Sequence, residues 1–127
     1  MPRKTKMDNI LDFNLAKRQD ELRKNDLSAE AIRERLNADA GGFVGWLFSG
    51  RALVSRGTAR VGDVMGTPGA SLSINLTGPD TGLWKDHATD EGGDLIALYR
   101  ANMGYAGMSD FVLSLKEIAR DFFNDPI

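Results

Sequence analysis

The segment 51–88 contains four short runs of strand-forming residues, separated by Gly, Pro, Asn and Asp. In the third run, Leu72, Ile74 and Leu76 alternate with polar residues, which is typical of a strand with one buried and one solvated face. A turn signal at 78–82 leads into the fourth run. These patterns predict a small antiparallel sheet of three to four strands, over 51–55, 58–64, 71–77 and 82–88.

Helical patterns lie on both sides of the predicted sheet, so the order of helices, sheet and helices predicts an α+β fold. Upstream we expect a charged helix with an apolar stripe, a second helix and a short buried helical turn at 43–48. Downstream we expect two further helices. The defining residues are Leu11, Leu15, Arg18 and Leu22 for the first helix, the cap Ser28 and the end at Gly41 and Gly42 for the second, about 94–103 with the stop Gly104 for the third, and the cap Ser109 for the fourth.

A length of 127 residues with 42% hydrophobic content suits one domain with its own core and an appendage. We expect a basic tail with charged helices over 1–40 and a folded domain over 41–127. No apolar run approaches the roughly 18 residues of a membrane span, and the basic segment 1–6 lacks the apolar core of a secretory signal. A cytoplasmic location without membrane contact is therefore expected.

The stretch 82–98 combines the single histidine of the chain with acidic residues and two adjacent glycines. Asp86 and His87 are neighbours on a predicted strand, so their side chains point to opposite faces. A structural zinc site needs four Cys or His ligands, and the chain has no cysteine. A solvated acidic turn is therefore favoured over a metal site. The possible metal ligands weighed here are Asp86, His87, Asp90, Glu91 and Asp94.

Gly92 and Gly93 precede a predicted helix and suggest a phosphate-binding turn. The lysine and hydroxyl of a P-loop are missing, and the neighbouring acids repel phosphate. A tight turn that ends at Asp94, whose carboxylate favours the helix N-terminus, explains the glycines better. One histidine and scattered serines give no catalytic triad or dyad, so we predict no catalytic residue, no metal and no cofactor, and expect that the chain alone is not an enzyme.

Arginines without acidic neighbours form the remaining candidate site. Arg51, Arg56 and Arg60 fall within ten residues that contain no acid, and Lys85 follows Trp84 on a nearby predicted strand. Arginine and lysine neutralise phosphates, and an exposed aromatic ring stacks on an unpaired base. The alternative is that Trp84 belongs to the core and the arginines are ordinary surface residues. The composition alone leaves both interpretations open.

Three blocks of the sequence resemble the N-terminal zinc-ribbon-like domain of phage, plasmid and bacterial DNA primases. The likeness is greater to the cysteine-free branch found in mobile-element primases and primase-helicases, and it covers roughly 43–123. The third block is the more specific one. The blocks are Leu47-Phe48-Ser49-Gly50-Arg51; Arg60-Val61-Gly62-Asp63-Val64 with Gly66, Gly69 and Ser71-Leu72-Ser73-Ile74; and Gly82-Leu83-Trp84-Lys85-Asp86 continuing to Glu91-Gly92-Gly93-Asp94-Leu95-Ile96-Ala97-Leu98.

The resemblance implies the primase fold without its metal. Gly62 and Met65 stand where zinc-bearing relatives have their first ligand pair, and Asp86 and Thr89 stand at the second. Packing must then replace a coordination energy of roughly 10 kcal/mol or more, and Phe43, Trp46 and Phe48 are the candidates for it. His87 occupies a position that is usually aromatic, which implies a packing role.

In function, the resemblance implies a non-catalytic accessory domain that binds single-stranded DNA template during replication, with catalysis in a separate domain. Trp84, Lys85, Arg51 and Arg60 match aromatic or basic positions of the family. We expect single-stranded DNA as the partner, with a helicase or polymerase domain as a possible replication partner. The alternative is a protein-interaction module of mobile-element origin that kept the fold and binds a replication or host protein through its charged N-terminal helix or its acidic turn.

Overall fold

The computed structural model describes residues 27–125, in which four α-helices, a π-helical turn and five strands form one core. The expected basic tail and the first charged helix lie outside the described residues. In chain order the elements are α1 (Ala29–Ala38), α2 (Ala40–Leu47), β1 (Leu53–Ser55), β2 (Thr58–Val61), β3 (Leu72–Asn75), β4 (Trp84–Asp86), β5 (Glu91–Gly93), α3 (Leu95–Met103), α4 (Met108–Glu117) and the π-helical turn Ile118–Phe122.

The five strands form an antiparallel meander, in the order β1-β2-β3-β4-β5. One row of paired residues crosses the whole sheet: Leu53 faces Arg60, which faces Ser73, which faces Lys85, which faces Gly92. The α+β prediction is confirmed, with one strand more than the three to four expected. The extra strand is β5, whose sequence of Glu91 and two glycines lacks the apolar alternation that marks a strand.

The inner face of the sheet carries the core. Ala59, Val61, Leu72, Ile74 and Trp84 are buried and alternate with more exposed residues along β2, β3 and β4. The helices complete the same core with apolar side chains of every described helix and of the π-helical turn: Ile32, Leu36, Phe43, Val44, Leu95, Ile96, Leu98, Leu115 and Ile118. Because α1 belongs to this core, the described part of the segment 1–40 packs with the domain expected over 41–127.

Side-chain caps fix where the helices begin. Ser28 Oγ accepts from Ala31 N at 3.1 Å, as its N-cap role predicts. The predicted end at Gly41 and Gly42 is wrong: α1 ends before Asp39, whose carboxylate accepts from Gly42 N at 3.3 Å and caps a new helix. The cap residue Asp39 therefore ends α1 before the chain reaches the two glycines.

The C-terminal helices begin and end close to the predicted residues. Asp94 Oδ1 accepts from Ala97 N at 2.8 Å and caps α3, which ends at Gly104 in the left-handed conformation. The helix α4 starts at Met108 with Gly107 as its N-cap, two residues before the predicted cap Ser109. Asp110 explains the shift, because its carboxylate accepts from Gly107 N at 3.3 Å. No helix among the described residues has the length and apolar character to cross a membrane.

Polar contacts also lie inside the helical side. The carboxylate of Glu117 accepts hydrogen bonds from Tyr99 at 2.8 Å and from Tyr105 at 2.9 Å. Burial is the main cause that raises the pKa of Tyr99, and the hydrogen bond to Glu117 is the second cause. Trp46 stacks on Tyr99 with a centroid separation of 6.2 Å but keeps part of its ring exposed, whereas Phe43 is fully buried.

Candidate nucleic-acid interface

The outer face of the sheet is the side away from the helices. We define it by the residues that alternate with the core residues of β2, β3 and β4, namely Thr58, Arg60, Ser73, Asn75 and Lys85. Their alternation follows from the two-residue period of a strand. Both of its cations are exposed, and Thr58, Ser73 and Asn75 are half-buried. The face is therefore polar and basic, and its cations are accessible.

Arg60 and Lys85 are the two predicted residues that the sheet brings together. Both pair with Ser73 of the intervening strand, Arg60 from β2 and Lys85 from β4. Two strand spacings separate them, or about 10 Å between their Cα atoms. Their heads thus lie on either side of a serine hydroxyl. A flexible anionic chain that crosses the strands can contact all three groups.

Trp84 does not belong to this face, and its predicted stacking role is wrong. The side chain lies on the inner face with 6% of its surface exposed, and its indole Nε1 donates to the carbonyl oxygen of Asp94 at 2.8 Å. The strand period explains the error, because neighbours on β4 point to opposite faces. Lys85 and Trp84 cannot both face a ligand on one side of the sheet.

Lys85 is partly neutralised by an acid of the β4–β5 turn. Its Nζ lies 2.9 Å from Asp90 Oδ1, and both side chains are exposed. The hydrogen bond from Lys85 lowers the pKa of Asp90. Asp90 has a φ of 66°, the left-handed conformation that the tight turn requires. An anion on the outer face would compete with Asp90 for the ammonium group.

Arg56 lies at the tip of the β1–β2 hairpin. Arg56 and Gly57 have φ values of 51° and 78°, and Ser55 pairs with Thr58 on either side of them. Two successive positive φ values form the two-residue turn that suits the twist of a hairpin, in which Asn, Asp and Gly are favoured. Arginine therefore occupies a backbone position that does not suit it.

Arg51 lies at the other end of β1, against the loop that follows β2. A methyl group placed on Gly66 would come within 3.2 Å of Arg51 Nη2. Arg51 lies two residues before β1 and Arg56 directly follows it, so the two guanidinium groups are anchored at opposite ends of this strand. Within residues 27–125, no acid pairs with Arg51, Arg56 or Arg60. We call Arg51, Arg56, Arg60 and Lys85 the basic strip.

Two loops lie where the sequence resemblance places the zinc ligand pairs, and aspartates close both of them. In the first, Asp63 Oδ1 accepts from Met65 N at 3.0 Å and from Thr67 N at 3.2 Å. The hydrogen bonds from Thr67 are the main cause that lowers the pKa of Asp63. Gly62 has no room for a side chain, since a Cβ there would lie 2.7 Å from the Pro68 carbonyl oxygen. A ligand-bearing residue at this position would have to displace the loop.

In the second loop, the buried carboxylate of Asp86 accepts from Ala88 N at 2.9 Å, and its carbonyl accepts from Asp90 N at 2.7 Å. Thr89 Oγ1 accepts from Glu91 N. His87 is exposed and donates only its backbone N–H, to Ser71 O at 2.8 Å, so the packing role expected of its ring is wrong. Hydrogen bonds from its own side chains and backbone therefore hold the acidic turn.

Phe48 supports the first of these loops from the core. Its side chain is fully buried, and a methyl group on Gly66 would come within 2.6 Å of Cδ1. The aromatic ring thus packs directly on the loop that carries the first implied ligand pair. Among residues 27–125, no three side chains of His, Asp or Glu are grouped so that they could hold a metal ion.

Sequence reasoning missed the polar residues of the outer face, Thr58, Ser73 and Asn75. For Ser73 and Asn75 the signal was present in the alternation of the third run, which predicted a polar face without giving it a role. Thr58 lies in the second run, outside that alternation.

Comparison of the chain with protein-family models, with curated proteins and with solved structures finds no match in any of the three.

Proposed function

We propose that this chain is a non-catalytic domain that binds single-stranded DNA on the outer face of its sheet, as an accessory to a mobile-element DNA primase. The observation that carries the proposal is the placement of the exposed Arg60 and Lys85 on the outer face of the sheet, with Ser73 between them. The primase assignment rests on the sequence resemblance alone.

Charge distribution supports an anionic partner in spite of the net charge of −2. Residues 40–62 carry three arginines and no acid, and they include β1 and β2. A local patch of this kind attracts phosphates even when the whole chain does not. The acids are concentrated elsewhere, on the turns and helices.

The chemistry of the face favours contacts to the phosphate backbone. Arginine, lysine and serine bind phosphate oxygens, whereas the burial of Trp84 removes the stacking contact that would hold a base. Binding should therefore depend strongly on salt and little on base sequence. If the basic strip neutralises about three phosphates, the slope of log K against log salt is about −2 on single strands.

The test is a titration of a fluorescent 20-residue oligothymidylate followed by anisotropy at several salt concentrations. Arg60→Glu combined with Lys85→Glu should weaken binding at least about tenfold at low salt, since two phosphate contacts become repulsive. The matched control combines Lys116→Glu with Arg120→Glu, which makes the same charge change on exposed residues of the helical side. Equal weakening by both pairs, or no binding at low salt, would refute the proposal.

A second candidate is a protein-interaction module. Exposed apolar residues on α4 support this candidate. Met108 and Val112 lie one turn apart on α4 and are both exposed, Met108 to 88%. A module of this type would give flat oligonucleotide titrations. It would also retain a replication or host protein in a pull-down that Met108→Lys with Val112→Lys abolishes.

A further inference from the structure

The strand β1 forms one edge of the sheet and is apolar on both sides. Leu53 is 67% exposed and Val54 64% exposed, although they point to opposite faces. Among the described residues, β1 pairs only with β2. Native proteins protect exposed edge strands by keeping them short, charged or covered. β1 is short and has an arginine at each end, but its two adjacent apolar side chains are left uncovered.

The register shows which backbone groups the edge offers. In a two-residue hairpin the closing pair, here Ser55 and Thr58, exchanges both hydrogen bonds. The next pair, Val54 and Ala59, is then a non-hydrogen-bonded pair. The N–H and C=O of Val54 therefore point away from β2, toward the open edge. They are a donor and an acceptor aligned for one more antiparallel or parallel strand.

Charge decides which strand the edge can accept. Arg51 and Arg56 flank β1 at its two ends, and neither pairs with an acid within the described residues. In an antiparallel pairing of two copies centred on Val54, Arg56 of each copy would lie opposite Ala52 of the other, one residue from its Arg51. Each end of such a pair would hold two cations and no acid, so the pairing gains nothing from charge. An incoming strand with acids at its ends would instead meet both arginines with opposite charge.

We propose that β1 accepts an extended acidic peptide from a partner protein as a sixth strand. Main-chain bonds to Val54 would give affinity, and apolar side chains of the peptide would cover Leu53 and Val54. Arg51 and Arg56 would select acids at the peptide ends. This mode of recognition adds a strand to an exposed edge. The peptide site shares Arg51 and Arg56 with the basic strip, but it uses the edge of the sheet and does not require Arg60 or Lys85.

The probe is a synthetic acetylated nonapeptide with valine and threonine at its centre and glutamate at both ends. We expect saturable shifts of the Ala52, Val54 and Arg56 amide resonances in the intact 127-residue chain. Two matched peptides test the chemistry: one with lysine in place of glutamate, and one with N-methylated central residues. Both should bind at least about tenfold more weakly, because they lose charge pairing or main-chain hydrogen bonds.

Val54→Pro tests the same bonds from the protein side. Its N–H points outward, so proline removes no bond of the β1–β2 ladder but blocks the edge. We expect at least about tenfold weaker peptide binding and unchanged oligonucleotide binding, whereas Arg60→Glu with Lys85→Glu should do the reverse. Val54→Thr keeps the N–H and is the matched control. The N-methylated peptide keeps the test valid if the proline variant unfolds.

Three results would overturn the proposal. The first is the absence of amide shifts at millimolar peptide. The second is equal binding of the acidic, basic and N-methylated peptides. The third is a dimer in solution that Val54→Pro dissociates, which would give the edge to a second copy of this chain.

Discussion

The two faces of the sheet are made from alternate residues of the same three strands, but they have opposite properties. On β3, Leu72 and Ile74 are fully buried against the helices, whereas Ser73 and Asn75 face outward. The inner face contributes stability through apolar burial, and its sequence is restricted by packing. The residues of the outer face are less buried, so substitutions there should cost less stability. The difference suggests that substitutions at neighbouring residues of one strand can change stability and binding separately.

The largest expected effect is on the inner face. Ile74→Ala should lower the free energy of unfolding by about 2–5 kcal/mol, because it removes a fully buried side chain and leaves a cavity. The neighbouring Ser73→Ala should change it by less than about 0.5 kcal/mol. Urea unfolding followed by circular dichroism measures both. Similar losses for the two variants would show that the outer face is also packed.

The next effect compares two acids, one on each side of the sheet. Asp94→Ala should cost about 1–2 kcal/mol, because Asp94 caps α3 and also accepts from Arg33 Nε at 2.9 Å. Asp90→Asn removes the exposed charge next to Lys85 but keeps a residue that tolerates the φ of 66°, so the unfolding midpoint should change little. It should strengthen oligonucleotide binding at low salt, since it frees the ammonium group. A stability loss for Asp90→Asn as large as that for Asp94→Ala would contradict the comparison.

A smaller effect of opposite sign is expected at the hairpin tip. Arg56→Asn should raise the free energy of unfolding by up to about 1 kcal/mol, because asparagine tolerates the left-handed conformation better than arginine. The same variant should weaken oligonucleotide binding by removing one cation. Arg56→Lys, which keeps the charge without the preferred turn residue, is the control. A variant that gains no stability would mean that the turn relaxes around arginine.

The smallest effect is a titration on the outer face. The hydrogen bond from Lys85 lowers the pKa of Asp90, so its pKa should lie below the usual value of about 3.9. The Lys85–Asp90 pair contributes to the free energy of unfolding at a pH above the pKa that Asp90 has in the unfolded chain. This contribution is lost as the pH falls through the lower pKa of Asp90 in the folded protein. Carboxyl carbon shifts in nuclear magnetic resonance report it. In Lys85→Gln the pKa of Asp90 should return toward its usual value.

The sequence predicted most of the fold because its strongest signals are local. The alternation around Ile74 located β3, and the caps Ser28 and Asp94 located the starts of α1 and α3. The failures have physical reasons of a different kind. The strand β5 is held by its pairing with β4 and not by its own residues, and Asp39 stopped α1 through a competing cap.

The candidate site was predicted in its composition and not in its geometry. All four cations of the basic strip were named from the sequence. Their position relative to Trp84 depends on which residues of β4 face outward and which face the core. A single residue separates an exposed lysine from a buried indole. Only the register, which places Lys85 opposite Ser73, shows that the strip lacks an aromatic stacking partner.

The meander order of the strands has a consequence for how quickly the chain reaches its native state. Each strand pairs with the strand that precedes or follows it in the chain, so the sheet needs only short loop closures. Proteins rich in such local contacts have low contact order and fold fast. The hydrogen bond between Arg33 and Asp94 joins residues 61 positions apart. The packing of α1 on α3 around this bond is also a long-range contact. We therefore expect the hairpins to form early and this closure to complete the folding transition.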